Sequence, residues 1–246
     1  MKKKTGEPFS KKAVAKYLIF GMLSALLTML IQSIFSLERD TFFDLNPIVA
    51  GFVTALLTAA LIEEVAKYIL FRLALIKDKE TFTWLDAIIV SIIVGAGFMI
   101  FENITKLVSG GANLLGAILP MHLLFQAVMG YYYGKARVTK KIKYDVLSLT
   151  IPIVLHTLFD MFLIGIMSIL PPDRTIPEDY KTSLEQGEYI IPLFACSIVT
   201  TVVMFVMLIM SFKKISTWSK NGEKQDLLKE IPAEEKPAEE KPTTEE

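Results

Sequence analysis

Pro47-Ile-Val-Ala-Gly-Phe-Val-Thr-Ala-Leu-Leu-Thr-Ala-Ala-Leu-Ile-Glu63-Glu64-Val-Ala-Lys67-Tyr-Ile-Leu-Phe71 is a long apolar stretch broken by three charges, Glu63, Glu64 and Lys67. A helix needs about 20 apolar residues to cross a hydrocarbon core about 30 Å thick. This stretch is long enough, and a soluble core of this size has no use for so many apolar residues in one run. Working outward, similar runs occupy Ala13–Leu37, Trp84–Phe101, Ala112–Gly134, Val146–Leu170 and Tyr189–Phe212. The reading is an all-α polytopic membrane helical bundle of about six transmembrane helices.

Charge distribution sets the orientation. Lys and Arg cluster at the start of the first run (Lys2, Lys3, Lys4, Lys11, Lys12, Lys16), after the second (Arg72, Lys77, Lys79), after the fourth (Lys135, Arg137, Lys140, Lys141, Lys143) and after the sixth (Lys213, Lys214, Lys220). The alternate loops hold only Arg39, Lys106, Arg174 and Lys181. Because Lys and Arg accumulate in the cytoplasm, both termini are expected inside. The chain has 246 residues and 26 basic against 26 acidic groups, so its net charge of zero gives no basic face for nucleic acid. Cys196 is the only cysteine, which rules out an intramolecular disulfide. The first run is twice a usual signal-peptide core and lacks a small-x-small cleavage site, so it is expected to stay as a span.

The expected organisation has three parts: a basic cytoplasmic segment 1–12, a six-span membrane domain 13–212 and a cytoplasmic tail 213–246. The tail repeats Pro232-Ala-Glu-Glu-Lys236 as Pro237-Ala-Glu-Glu-Lys241. It is Pro-rich, acidic and poor in apolar residues, a composition that cannot bury enough surface to fold.

Ionisable groups inside apolar runs mark function, since a charge at the bilayer centre costs about 2.5–3.5 kcal/mol on insertion scales. Glu63, Glu64 and Lys67 lie in the second run, Glu102 near the outer end of the third, His122 mid-way along the fourth, and His156 and Asp160 mid-way along the fifth. These are the only two histidines in the chain. Glu63 and Lys67 are spaced i,i+4, as are His122 with Gln126 and His156 with Asp160, so each pair shares a helix face. Adjacent Glu63 and Glu64 point about 100° apart and cannot share one role. A buried Glu–Lys pair is often merely structural, and a lone membrane histidine is often a packing residue. Convergence of three glutamates, two histidines and an aspartate from four helices is more than packing needs. Asp86 and Asp145, at span ends, are expected to be interfacial and without a role. Gly95-Ala-Gly97 and Gly130…Gly134 read as close-packing surfaces between helices.

A carboxylate and imidazoles in a dry site are the parts needed to activate water. No serine or cysteine stands out as a nucleophile, and nothing resembles the His-Glu-x-x-His zinc helix. The chemistry that fits is peptide-bond hydrolysis inside the membrane. Two alternatives stand beside it: a non-catalytic membrane partner or immunity-type protein of the same fold, and a proton-coupled carrier. A carrier would be expected to show internal repeats or broken helices, and the two halves of this sequence do not resemble one another.

Ile62-Glu-Glu-Val-Ala-Lys67, Gly97-Phe-Met-Ile-Phe-Glu-Asn103, Leu119-Pro-Met-His122 leading into Met129-Gly-Tyr-Tyr-Tyr-Gly-Lys-Ala136, and Leu155-His-Thr-Leu-Phe-Asp160 occur in this order on separate spans. Together they resemble the PrsW family of intramembrane proteases, which belongs to a wider group with the type II CAAX prenyl endopeptidases and bacteriocin-immunity proteins. The resemblance covers about Gly51 to Ile164. It implies a bacterial cell-membrane peptidase acting on a single-pass membrane protein, an anti-sigma factor at site 1 in the best-known case, with membrane lipid as its other partner. It implies Glu63 or Glu64 as the base, with Glu102, His122 and His156 completing the site and Lys67, Asn103 and Asp160 in support. Glu63, Glu64, His122 and His156 are the metal-ligand candidates. Zinc is left open, and the reading leans against its being essential. Lys106 stands where the family often has an aromatic residue, and Asp160 where the wider group commonly ends its motif with Asn.

Overall fold

The computed structural model describes residues 8–35, 42, 45–76, 83–109, 121–169 and 183–221, all its extended elements being helical. Helix α1 spans Lys11–Phe35 and starts where the Ser10 hydroxyl accepts a hydrogen bond from the Ala13 amide. Helix α2, Pro47–Thr54, begins with Asn46, whose side chain accepts from the Ile48 amide, and Pro47 occupies the first turn, where its missing N–H costs nothing. The chain continues through a π-helical turn, Ala55–Ala60, into α3, Leu61–Ile76. Helix α4 spans Trp84–Val108, α5 Met121–Thr139, α6 Ile142–Ile169 and α7 Ser183–Asn221.

Four of these stretches are long and apolar enough to cross a membrane: Lys11–Ile34, Pro47–Ile76, Trp84–Val108 and Ile142–Phe162. Ile191–Met207 within α7 is a shorter apolar helix. The described part of the expected fourth span, α5, carries His122, Gln126, Lys135 and Arg137, while residues 112–120 of that run lie outside the described residues. His122 is the second described residue of α5, and its expected place mid-way along the run involves residues outside the described set. Helix α7 runs on to Asn221, past the expected membrane boundary at Phe212. The segment 1–7, the Pro171–Thr182 part of the expected outer loop and the repeat-bearing tail lie outside the described residues.

Helix α4 is the hub, with α5 packed along one side and α1 along another. Glycines make both contacts possible. A Cβ on Gly21 would strike the Val94 carbonyl oxygen, and one on Gly97 would strike that of Leu18, so α1 and α4 meet backbone to backbone. Gly130 of α5 sits against Ala87, Ile88 and Ser91, and Gly134 against Trp84. Such approaches drive association where lipid removes any hydrophobic gain. Tyr17, Phe71, Val90, Val94, Met129 and Tyr133 fill the space between α1, α3, α4 and α5. The outward faces carry Ile19, Leu23, Leu26, Leu30 and Ile34 on α1, and Phe194, Ile198, Val202 and Phe205 on α7, all exposed to the surroundings. Helices with such faces suit a hydrocarbon solvent, because every backbone bond is closed within the helix.

Asp86 and Asp145 depart from the expectation that they have no role. Asp86 is buried and closes a capping box: its carboxylate accepts from the Thr83 amide while the Thr83 hydroxyl accepts from the Asp86 amide. Asp145 accepts from the Tyr68 hydroxyl at 2.9 Å and from Arg72 at 3.2 Å, tying α6 to α3. Backbone donors at helix starts need partners, and Asp86 supplies one for the start of α4.

Candidate active site

The π-helical turn sets the phase of the acidic pair. In it the Leu61 amide reaches back to the Leu56 carbonyl, five residues away, which adds one residue to the turn. One extra residue rotates the following helix by about 100° relative to an unbroken one. Gln32 of α1 donates to the Thr58 carbonyl at 2.6 Å within the turn. Just beyond it Glu63, Glu64 and Lys67 are buried, with Glu64 and Lys67 wholly enclosed. Nothing in the apolar sequence Ala55-Leu-Leu-Thr-Ala-Ala60 announced this turn.

Lys67 is the centre of the cluster. Its ammonium donates to Glu64 Oε1 at 2.8 Å, to Glu63 Oε2 at 3.1 Å and to His122 Nδ1 of α5 at 3.0 Å. It also lies 3.8 Å from the ring centroid of Phe98 on α4. An ammonium has three protons and no lone pair, so these three acceptors use it completely.

On one side, His122 Nε2 lies 2.7 Å from Glu102 Oε2, and Lys106 reaches Glu102 Oε1 at 2.6 Å. On the other, Glu64 Oε1 also meets His156 Nδ1 at 3.0 Å, and His156 Nε2 lies 3.2 Å from Asp160 Oδ2. Glu64 Oε2 accepts from Gln126 at 3.1 Å, and Gln126 in turn accepts from the Ser91 hydroxyl at 3.0 Å. Phe125 stacks on His156 with centroids 4.6 Å apart. The two imidazoles are 5.7 Å apart, centroid to centroid. One connected network thus joins α3, α4, α5 and α6.

Exposure divides it into a sealed and an open side. Glu64 and Lys67 are fully buried, whereas the side chains of Glu63, His122, Glu102 and Asp160 are 11%, 15%, 22% and 28% exposed. Glu64 has both oxygens filled by N–H donors. Glu63 has only Oε2 engaged, and its Oε1 accepts no hydrogen bond among the described residues. Asn103 is half-buried beside Glu102 and makes no side-chain hydrogen bond among the described residues.

Gln126, Ser91 and Lys106 were not singled out as site residues. Their signals were present: Gln126 is i,i+4 from His122, Lys106 is i,i+4 from Glu102, and Ser91 lies 11 residues before Glu102, about three turns down the same face.

One oxygen each of Glu63 and Glu64 and a ring nitrogen of His156 lie within 4.8 Å of one another, a carboxylate–imidazole set that suits a divalent ion by type. Asp160 on the far nitrogen of His156 is the kind of outer partner that ligating histidines use. The set as folded nevertheless does not fit a metal. Both Glu64 oxygens are engaged by N–H donors, both His156 nitrogens face carboxylates, and the ammonium of Lys67 sits against the very oxygens a metal would need.

A family model described as "PrsW family intramembrane metalloprotease" matches residues 10–172. The chain is 32% identical over 165 residues to "Protease PrsW" of Geobacillus kaustophilus, covering 65% of this chain and 69% of that protein. It is 32% identical over 161 residues to "Protease PrsW" of Oceanobacillus iheyensis, covering 63% and 72%. The corresponding protein of Bacillus subtilis is 30% identical over 120 residues, covering 46% and 55%. No solved structure matches the chain. The matched residues run through every helix that contributes to the Lys67 network, and the chain belongs to the PrsW family.

Proposed function

We propose that this chain is an intramembrane peptidase that cleaves a single-pass membrane protein by general-base activation of water, with Glu63 as the base. The observation that carries this reading is the contrast between neighbours: Glu64 is sealed and fully bonded, and Glu63 keeps one oxygen open.

A water bound to Glu63 Oε1 loses a proton to that carboxylate as its oxygen attacks the scissile carbonyl carbon. The carbonyl π electrons move to oxygen, giving a tetrahedral oxyanion. His122, whose Nδ1 is 3.9 Å from Glu63 Oε2, and His156, whose ring centroid is 5.7 Å from that of His122, would stabilise the charge by turning a ring N–H from its carboxylate partner to the oxyanion. As the C–N bond breaks, protonated Glu63 returns its proton to the leaving amine, so the products are a carboxylic acid and an amine. Glu64 and Lys67 position Glu63 and the imidazoles, Glu102 holds His122, and Asp160 holds His156. No step here runs through a metal.

The family likeness supports a membrane-protein substrate, and site-1 cleavage of an anti-sigma factor is the version we propose to test first. The experiment co-reconstitutes the full chain with a single-pass substrate and follows the cut product. Glu63→Gln should slow cleavage by about 10²–10⁴-fold while the protein remains folded. Wild-type cutting by Glu63→Gln would remove Glu63 as the base. Failure of any single-pass protein in the native membrane to change when the gene is deleted would favour a non-catalytic role.

A further inference from the structure

The family description names a metal, yet the position between Glu63, Glu64 and His122 already holds a cation of the chain's own. The three acceptors surround Lys67 Nζ at 2.8–3.1 Å. Zinc would bond the same kinds of atoms at about 2.0–2.2 Å, with ligand atoms roughly 3.3 Å apart in a tetrahedron. His122 Nδ1 and Glu63 Oε2 stand 3.9 Å apart, wider than that tetrahedral separation, and they are gathered around an ammonium instead. Glu64 Oε1 accepts from both Lys67 and His156, and Oε2 from Gln126, so its in-plane lone pairs are largely taken. The ammonium lies 3.8 Å from the Phe98 ring centroid, and Lys67 is wholly buried. Leaving these acceptors would strand a charge in the protein interior.

We propose that the Lys67 ammonium and a divalent metal ion exclude one another at the Glu63–Glu64–His122 centre, so that Lys67 serves this chain in place of a tightly bound metal. The inference rests on reading this cluster as the reaction centre. Its test reads metal binding rather than turnover, so the two can fail separately.

The full-length chain in detergent is stripped with chelator and titrated with Co²⁺ and with Zn²⁺. Visible d–d absorption reports tetrahedral Co²⁺, elemental analysis gives zinc content, and a melting curve reports the fold. Wild-type and Lys67→Arg protein should bind both metals weakly and show no zinc-dependent rise in melting temperature. Lys67→Met removes the cation and leaves the donors. It should bind at least about 30-fold more tightly, develop tetrahedral Co²⁺ bands and gain melting temperature with zinc. Equal affinity of wild-type and Lys67→Met protein would overturn the proposal. So would one equivalent of zinc retained by wild-type protein and lost in Glu63→Gln or His122→Ala. Should Lys67→Met fail to fold even with zinc present, the wild-type titration decides: weak binding upholds the proposal and cluster-dependent tight binding refutes it.

Discussion

The ammonium of Lys67 stands 3.0 Å from Nδ1 of His122, and this one contact settles which nitrogen of the imidazole carries the proton. Lysine can only donate, so Nδ1 must accept, and the ring proton lies on Nε2, directed at Glu102 Oε2 2.7 Å away. The tautomer is thus enforced from both sides by residues on two other helices. His156 differs: both of its nitrogens face carboxylates, Glu64 and Asp160, so both are donors unless one carboxyl group holds the proton.

Glu102 should therefore matter through His122. Glu102→Gln keeps an acceptor for Nε2–H but removes its charge, and it should lower kcat by about 10–100-fold with KM little changed, as for other partners that orient an active imidazole. Lys106→Met removes a half-exposed ion pair and should change kcat less than about threefold. Steady-state cleavage of a reconstituted substrate separates the two. Equal losses in both variants would mean that Glu102 acts through Lys106 instead.

The adjacent glutamates should fail in different ways. Glu63→Gln should lose about 10²–10⁴-fold in cleavage rate with an unchanged melting temperature, since it removes a base and leaves the fold intact. Glu64→Gln breaks a fully buried pair with Lys67, and losses of this kind run to about 3–5 kcal/mol. Its melting temperature should fall clearly and its yield in membranes should drop. Melting curves on both variants, beside single-turnover rates, distinguish the roles. Identical behaviour of the two would contradict the division drawn above.

Backbone contact between α1 and α4 predicts a steric sensitivity remote from the chemistry. Gly97→Val puts a branched side chain where the Leu18 carbonyl already excludes a Cβ. Overpacking of this sort costs about 1–3 kcal/mol. The variant should melt lower and displace α4, so Glu102 should lose its register with His122. An unchanged melting temperature would show that the helices separate freely at this point.

Orientation can be checked with reporter fusions. Fusions at Lys79, Lys140 and in the tail should report cytoplasm, and those near Asp44, Gly110 and Glu178 should report the opposite side, because Lys and Arg are concentrated in the first set of segments. A cytoplasmic signal from Glu178 would remove the last two spans from the expected six.

Much of the protein was legible in one dimension. Runs such as Pro47–Phe71 demand helices in lipid, because an unbonded backbone has no water to turn to. The i,i+4 spacings of Glu63 with Lys67 and of His156 with Asp160 place each pair on one face through helix geometry alone, and both pairs are in contact. The glycines of α4 and α5 marked close packing before any partner was known. Local rules reach no further than this. That Lys67 serves α5 as well as its own helix, that Glu64 rather than Glu63 is sealed by Gln126 and His156, and that a π turn sets their phase all depend on how four helices cross. Spacing along one helix places a side chain on a face, but which face meets which neighbour is settled only when the helices pack. The sequence alone therefore determined which ionisable groups sit within the apolar runs. Tertiary structure decided that a lysine ammonium occupies their centre, because only packing brings the His122 acceptor, 55 residues away in the chain, to 3.0 Å from it.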